Sequence, residues 1–189
     1  MKEPVRIEYW LNKLDEVVYV NEAWTQFALE NDGVGLGPEN ILHRPLYGFI
    51  TDSTMRLLYW DMLKRVRAGY TLQFPFRCDS PTQYRLLEMT VTPDVDGLVK
   101  FSTLEVLVKE RTPIRLFASS ARRSAALLRV CSWCKRVEVE NQQWAEVEDA
   151  ILCLRLFERD RLPRLSHGIC QACLTMLRKN WLDKNTETL

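Results

Sequence analysis

Histidine is nearly absent from this chain: 189 residues carry two, His43 and His167. A Ser-His-Asp or Cys-His hydrolytic arrangement has almost no base to draw on, and no serine or cysteine stands in a nucleophile-elbow sequence. Long apolar runs are missing too, which excludes a membrane-spanning helix. The opening Met1-Lys2-Glu3-Pro4 leads into alternating residues rather than an apolar export segment. That sets the expectation of a cytoplasmic, reducing setting. No phosphate-binding loop occurs, because Gly33-Val34-Gly35-Leu36-Gly37 lacks both the lysine and the preceding apolar strand and reads as a flexible turn. Paired carboxylates such as Asp94 and Asp96 fall at a hairpin and read as solvated. Repeats and low-complexity tracts are absent. With no catalytic set, the expectation is a protein that is not an enzyme.

A dense Lys/Arg block is also lacking. Charge is nevertheless uneven: residues 1–110 hold 12 Lys+Arg against 16 Asp+Glu, and residues 111–189 hold 14 against 9. A modestly basic second part could meet nucleic acid or an acidic protein surface, but mixed-charge solvated surface is the plainer reading.

Cysteine, in contrast, is concentrated. Of six cysteines, four form the pairs Cys131-Ser132-Trp133-Cys134 and Cys170-Gln171-Ala172-Cys173. Each pair can hold one metal ion with two thiolates from a single tight turn, and two such pairs supply the four soft ligands that structural zinc takes. His167 stands three residues before Cys170 and competes for the same tetrahedral shell, as a ligand or as a neighbour of the ligands. Redox-active thiols or small buried hydrophobes are the alternatives. Two pairs in a reducing compartment favour metal over both. A full thiolate shell leaves no open position for water, so the Zn2+ is expected to be structural rather than catalytic. Cys153, among leucines, and Cys78, in a strand, read as core residues.

Along the chain, Arg6–Leu11 and Val17–Val20 read as strands around a polar break at Asn12 and Lys13. Asn21 reads as an N-cap, with Trp24, Phe27 and Ala28 at helical spacing behind it. Asp52 or Ser53 caps a longer helix whose stripe runs Met55, Leu58, Tyr59, Met62, Leu63, Val66 and closes at Gly69. Strands follow at Thr71–Cys78, Tyr84–Thr92 and Leu98–Val108, turned by Ser80-Pro81 and Asp96-Gly97. This order predicts an α+β unit, a five-stranded antiparallel sheet with helices on one face. Ala118 to Leu128 is rich in helix formers and predicts a linker helix within 111–130. Trp144, Val147, Ala150, Ile151 and Leu154 predict an amphipathic helix inside a small, mostly helical zinc module at 131–178, with a tail at 179–189. So small a module would draw much of its folding free energy from metal.

Two segments carry a family resemblance. Asp15-Glu16-Val17-Val18-Tyr19-Val20-Asn21-Glu22-Ala23-Trp24 resembles the opening of a PAS domain. Pro45-Leu46-Tyr47-Gly48-Phe49-Ile50-Thr51-Asp52 resembles that family's short central helices, and Phe76-Arg77-Cys78-Asp79-Ser80-Pro81 with the following hairpin resembles its closing strands. This covers residues 5–110, within a sensory or interaction domain at 1–110. Residues 128–178, with Cys131-x-x-Cys134-Lys135-Arg136, Trp144, and Ser166-His167-Gly168-Ile169-Cys170-x-x-Cys173, resemble a tail found after PAS or receiver domains in bacterial signalling proteins. Gln171 stands where that tail usually has proline, and no ligand candidate is lost.

The resemblance implies a non-enzymatic sensor or adaptor that works through contacts with a signalling protein and self-associates as a homodimer. It also implies a small-molecule cavity between sheet and helices, with the ligand unknown. Haem is not expected, because His43 is the sole free axial candidate and precedes the long helix. A flavin of the related photosensor type would need an Asn-Cys-Arg-Phe-Leu-Gln motif, which is absent. Two other readings stand beside this one. The module could be a nucleic-acid-binding finger using Arg122, Arg123, Arg129, Lys135 and Arg136, or a thiol–zinc redox switch.

Overall fold

The computed structural model describes residues 5–31, 33 and 35–183. Val34 of the glycine-rich turn and residues 184–189 of the expected tail lie outside the described residues. Residues 179–183 belong to a helix rather than to a tail. The chain divides into two compact units, Met1–Phe76 with Leu86–Val108, and Arg77–Arg85 with Lys109–Leu189. The second unit thus takes in the tip of a hairpin that the sequence places wholly inside the first domain.

In the first unit, β1 (Arg6–Leu11) and β2 (Val17–Val20) form an antiparallel pair. The break between them is an Asx-type turn in which Asn12 Oδ1 accepts from the backbone N–H groups of Leu14 (2.9 Å) and Glu16 (3.0 Å). Asn21 caps α1 (Glu22–Glu30), accepting from Trp24 N–H at 2.9 Å. Its side chain also accepts from Glu8 N–H at 3.1 Å and donates to Arg6 O at 2.7 Å. One residue therefore fixes both the start of the helix and its place beside β1. A short α2 (Pro38–Ile41) precedes α3 (Ser53–Arg67), which Asp52 caps through Met55 N–H at 2.9 Å. Met55, Leu58, Met62, Leu63 and Val66 form the buried stripe of α3, and Gly69 ends it at φ 100°.

The sheet is completed by β3 (Leu72–Arg77), β4 (Gln83–Pro93) and β5 (Val99–Glu110), in the order β2-β1-β5-β4-β3. β5 lies antiparallel to β1, with Tyr9 opposite Phe101. Period-two alternation decides the faces. Tyr9, Leu11, Val99, Phe101 and Thr103 are buried, while Trp10, Lys100 and Ser102 between them are only half-buried. Tyr9 stacks on Phe101 (4.4 Å between centroids) and meets Trp24 of α1 edge-on at 5.3 Å. Pro75 sits on β3, the edge strand, where a missing N–H costs least. The predicted α+β unit with a five-stranded antiparallel sheet is present.

The second unit departs from expectation. The stretch read as a linker helix contains a strand, β6 (Arg123–Cys131). It centres a four-stranded sheet, order β8-β7-β6-β9, with β7 (Val137–Glu138), β8 (Trp144–Ala145) and β9 (Leu162–Gly168). The module is therefore sheet and helix together, not mostly helical. Local helix propensity in Ala-Ala-Leu-Leu is worth tenths of a kcal/mol per residue, less than the backbone pairing β9 offers. The predicted amphipathic helix is shorter too: α4 spans Val147–Cys153, and Trp144 belongs to β8. Cys153, expected in the core, is exposed because α4 ends there, and Cys78 is half-buried. The unit has its own apolar cluster, built on Ile114, Leu116, Leu128, Val130, Val137 and Val147. The chain closes with α5 (Gln171–Asp183). No described helix is long and apolar enough to cross a membrane.

Candidate metal centre

The parallel pairing of β6 and β9 builds the site. Val130 lies opposite His167 and Cys131 opposite Gly168, so both strands run out at the same end of the sheet. Each continues into one Cys-x-x-Cys turn. Antiparallel strands would send the two turns to opposite ends.

In the first turn Lys135 N–H donates to Cys131 O (3.0 Å) and Cys131 N–H donates to Arg136 O (2.8 Å). Lys135 adopts left-handed backbone at φ 61°, an unusual conformation for a non-glycine residue, and its Nζ donates to Ser132 O at 3.1 Å. Ser132 N–H reaches across to Gly168 O at 2.8 Å, tying the first turn to the end of β9. In the second turn Cys170 immediately precedes α5, and Leu174 N–H donates to its carbonyl at 3.0 Å. Cys173 N–H donates to Cys170 Sγ, and Cys170 N–H donates to Cys131 Sγ, both at 3.4 Å. Backbone donors and the positive end of a helix stabilise sulfur as thiolate, the form a metal takes.

The sulfurs of Cys131, Cys134, Cys170 and Cys173 all lie within 4.8 Å of one another. Cys134 and Cys170 are 3.7 Å apart, and all four are free thiols. A tetrahedron with Zn–S bonds of about 2.3 Å has S···S edges of roughly 3.8 Å. The spacing suits a thiolate-bound ion and is far beyond a disulfide bond of about 2.05 Å. Ionisation shows what the cluster needs. Hydrogen bonds from Cys134 and Cys173 pull the Cys131 thiol far down. The hydrogen bond with Cys131 pushes Cys134 up to about 12, and hydrogen bonds with Cys131 and Cys134 raise Cys173 strongly, burial and neighbouring charge adding to both. The hydrogen bonds among these three sulfurs thus favour one thiolate and oppose the other two. Four thiolates coexist once a divalent cation offsets their repulsion, which is the fit the donor set makes with Zn2+.

His167 is not brought into this group. It sits exposed on β9 opposite Val130. His43 is exposed on a turn at φ 60°, its N–H bound to Val17 O at 2.7 Å.

Sequence reasoning did not foresee the charged cluster around the first turn. Arg77 N–H donates to Trp133 O, inside that turn, at 2.7 Å. The Arg77 guanidinium pairs with Asp79 and, at 2.6 Å, with Glu146. Asp79, its side chain fully buried, also takes Arg111 at 3.0 Å, and Glu146 takes Arg136 at 2.9 Å. Burial works against both Arg77 and Glu146. The hydrogen bonds outweigh it, raising Arg77 and holding Glu146 below the usual carboxylate range. Arg and Asp two apart in a strand-like segment look solvated in sequence, and only burial of the hairpin tip reveals the cluster.

No protein-family model matches the chain, and no curated protein matches it. Among solved structures, a sensory box sensor histidine kinase from Vibrio cholerae is similar at 14% identity over 55% of this chain and 83% of that one, with a TM-score of 0.39. A score that low does not establish a shared fold.

Proposed function

We propose that this chain is a PAS-type sensory or interaction domain joined to a structural zinc module, acting through protein contacts and without catalysis. The observation that carries the metal half is the four-sulfur cluster, with a 3.7 Å edge and two backbone N–H donors aimed at sulfur. The PAS half rests on the resemblance in residues 5–110 together with the five-stranded antiparallel order. Output is contact with a signalling protein, and the assembly we expect is a homodimer.

With a strand in place of the linker helix, the coupling we propose runs through residues 77–85. They continue β3 into β4, and the second unit holds them through Arg77 and Trp133. A ligand or partner that alters this hairpin would alter the metal turn, a population shift between packed arrangements.

The candidate phosphate contacts support protein rather than nucleic-acid binding. Arg122 pairs with Asp160 (3.5 Å), Arg129 with Glu138 (3.2 Å) and Arg136 with Glu146 (2.9 Å). Arg123 is spent on the carbonyls of Leu116, Ala118 and Pro163, and Lys135 on that of Ser132.

Native mass spectrometry before and after denaturation tests the proposal. One zinc per chain lost on denaturation, in a species of two chains, supports it. A metal-free protein with oxidised cysteines overturns it.

A further inference from the structure

The C-terminal unit contains a half-open cavity of about 500 Å3 that includes none of the clustered cysteines. Its floor is core: Ile114, Leu116, Leu156 and Leu162, all buried. Its lips are not. Leu152 on α4 is 64% exposed, and Phe157 is 59% exposed. Arg155, in left-handed backbone at φ 48°, makes the turn between them. Large apolar side chains flanking an apolar trough mark a binding groove.

The polar groups of the same cavity set the chemistry of the occupant. Arg111 is held by Asp79 and Glu148 through Nη1 and by Ser80 O through Nη2. Its side chain is 10% exposed, and its buried Nε has no hydrogen-bond partner. Arg115 lies exposed on the same wall and makes no ion pair among the described residues. Glu148 is the one acidic residue of the lining, and it already faces Arg111 at 3.6 Å. Arg111 is thus matched by its own carboxylates, and the uncompensated Arg115 beside an apolar trough selects an apolar body with an anionic head. The volume falls within the roughly 300–1,000 Å3 of small-molecule sites.

We propose that this groove binds a single-chain anionic amphiphile, a medium-chain acyl carboxylate, with the tail between Leu152 and Phe157 and the carboxylate at Arg115. The inference goes beyond the metal reading: no cysteine lines the groove, although the unit that carries it is the one the proposed metal stabilises.

The test is calorimetric titration of the full, metal-loaded chain with dodecanoate below its micellar concentration, beside dodecylammonium and dodecanol. Dodecanoate should bind one per chain, and dodecylammonium at least about tenfold more weakly, the effect of about one charge contact. Arg115→Glu should weaken dodecanoate and leave dodecanol unchanged. Leu152→Ser with Phe157→Ser should weaken both, and since these side chains are exposed, metal content should stay the same. The proposal is overturned if dodecanoate gives no binding, if dodecylammonium matches it, or if the lip variant binds dodecanoate like the parent. Loss of metal with dodecanoate binding intact would count against the zinc reading alone.

Discussion

The two units hold themselves together by different means. The first relies on continuous apolar burial: alternating strands, a five-residue stripe on α3, and helix caps at Asn21 and Asp52. Its largest fully buried side chains include Phe101, Leu87 and Met62. The second has its own apolar cluster, mostly valines and leucines, and adds four sulfurs and a buried ion cluster. Burial of a large side chain contributes about 1.5–3 kcal/mol. Structural zinc contributes apparent free energies of about 10–16 kcal/mol, but only when bound. On the zinc reading, stability is therefore intrinsic in one unit and conditional in the other.

Removing the metal should break this contrast most visibly. A strong chelator, or Cys170→Ser, is expected to cost the second unit most of its folding free energy, on the order of several kcal/mol. Hydrogen-exchange mass spectrometry should show protection lost across β6, β9 and residues 77–85 while β1 and β2 keep theirs. Uniform protection after proven metal loss would contradict it. Next in size is the buried ion cluster: Asp79→Asn takes from Arg77 and Arg111 the one buried carboxylate they share, leaving them only the more exposed Glu146 and Glu148, and costs about 3–5 kcal/mol. Denaturant unfolding followed by Trp133 fluorescence should show the loss, and a change below 1 kcal/mol, roughly the worth of an exposed pair, would mean the cluster is solvated. Phe101→Ala, at about 3–5 kcal/mol, should strike the first unit and leave zinc content unchanged.

Smaller effects sharpen the same line. Glu146 has a depressed pKa in the folded chain. Its contribution is full above the unfolded carboxylate value, near 4.3, and fades as pH falls through the lower folded value. Glu146→Gln should therefore flatten the acid limb of the second unit's stability profile, and an unchanged limb would remove Glu146 from the account. The smallest effect is expected from His167→Ala. Zinc stoichiometry by mass spectrometry should not change, whereas a drop would restore His167 to the ligand shell.

The same contrast separates what could be read from the sequence. Period-two alternation in β1 and β5, the Asn21 cap and the α3 stripe are local signals, and the first unit follows them closely. The cysteine set was equally plain, because Cys-x-x-Cys spacing is itself local. What sequence hid was non-local. In β6 only Leu128, Val130 and Cys131 are buried, and its pairing with β9 is irregular between Arg123 and Leu127. No clean alternation opposed the helix-forming alanines and leucines. The burial of Arg77 and Asp79 likewise depends on Trp133 and Arg111, more than thirty residues away along the chain.

Parallel pairing of β6 and β9 has one more consequence. Between Cys134 and Cys170 the chain makes a 35-residue excursion and returns to the place it left. On the zinc reading, an ion spanning the two turns would act as a removable crosslink closing that circuit. The entropy of closing a loop grows only logarithmically, by about 0.6 kcal/mol for each doubling of its length. The circuit can therefore lengthen or shorten at its outer turns with little penalty to the crosslink. Exposed turn residues such as 158–161 could therefore change in number while the two cysteine turns keep their spacing.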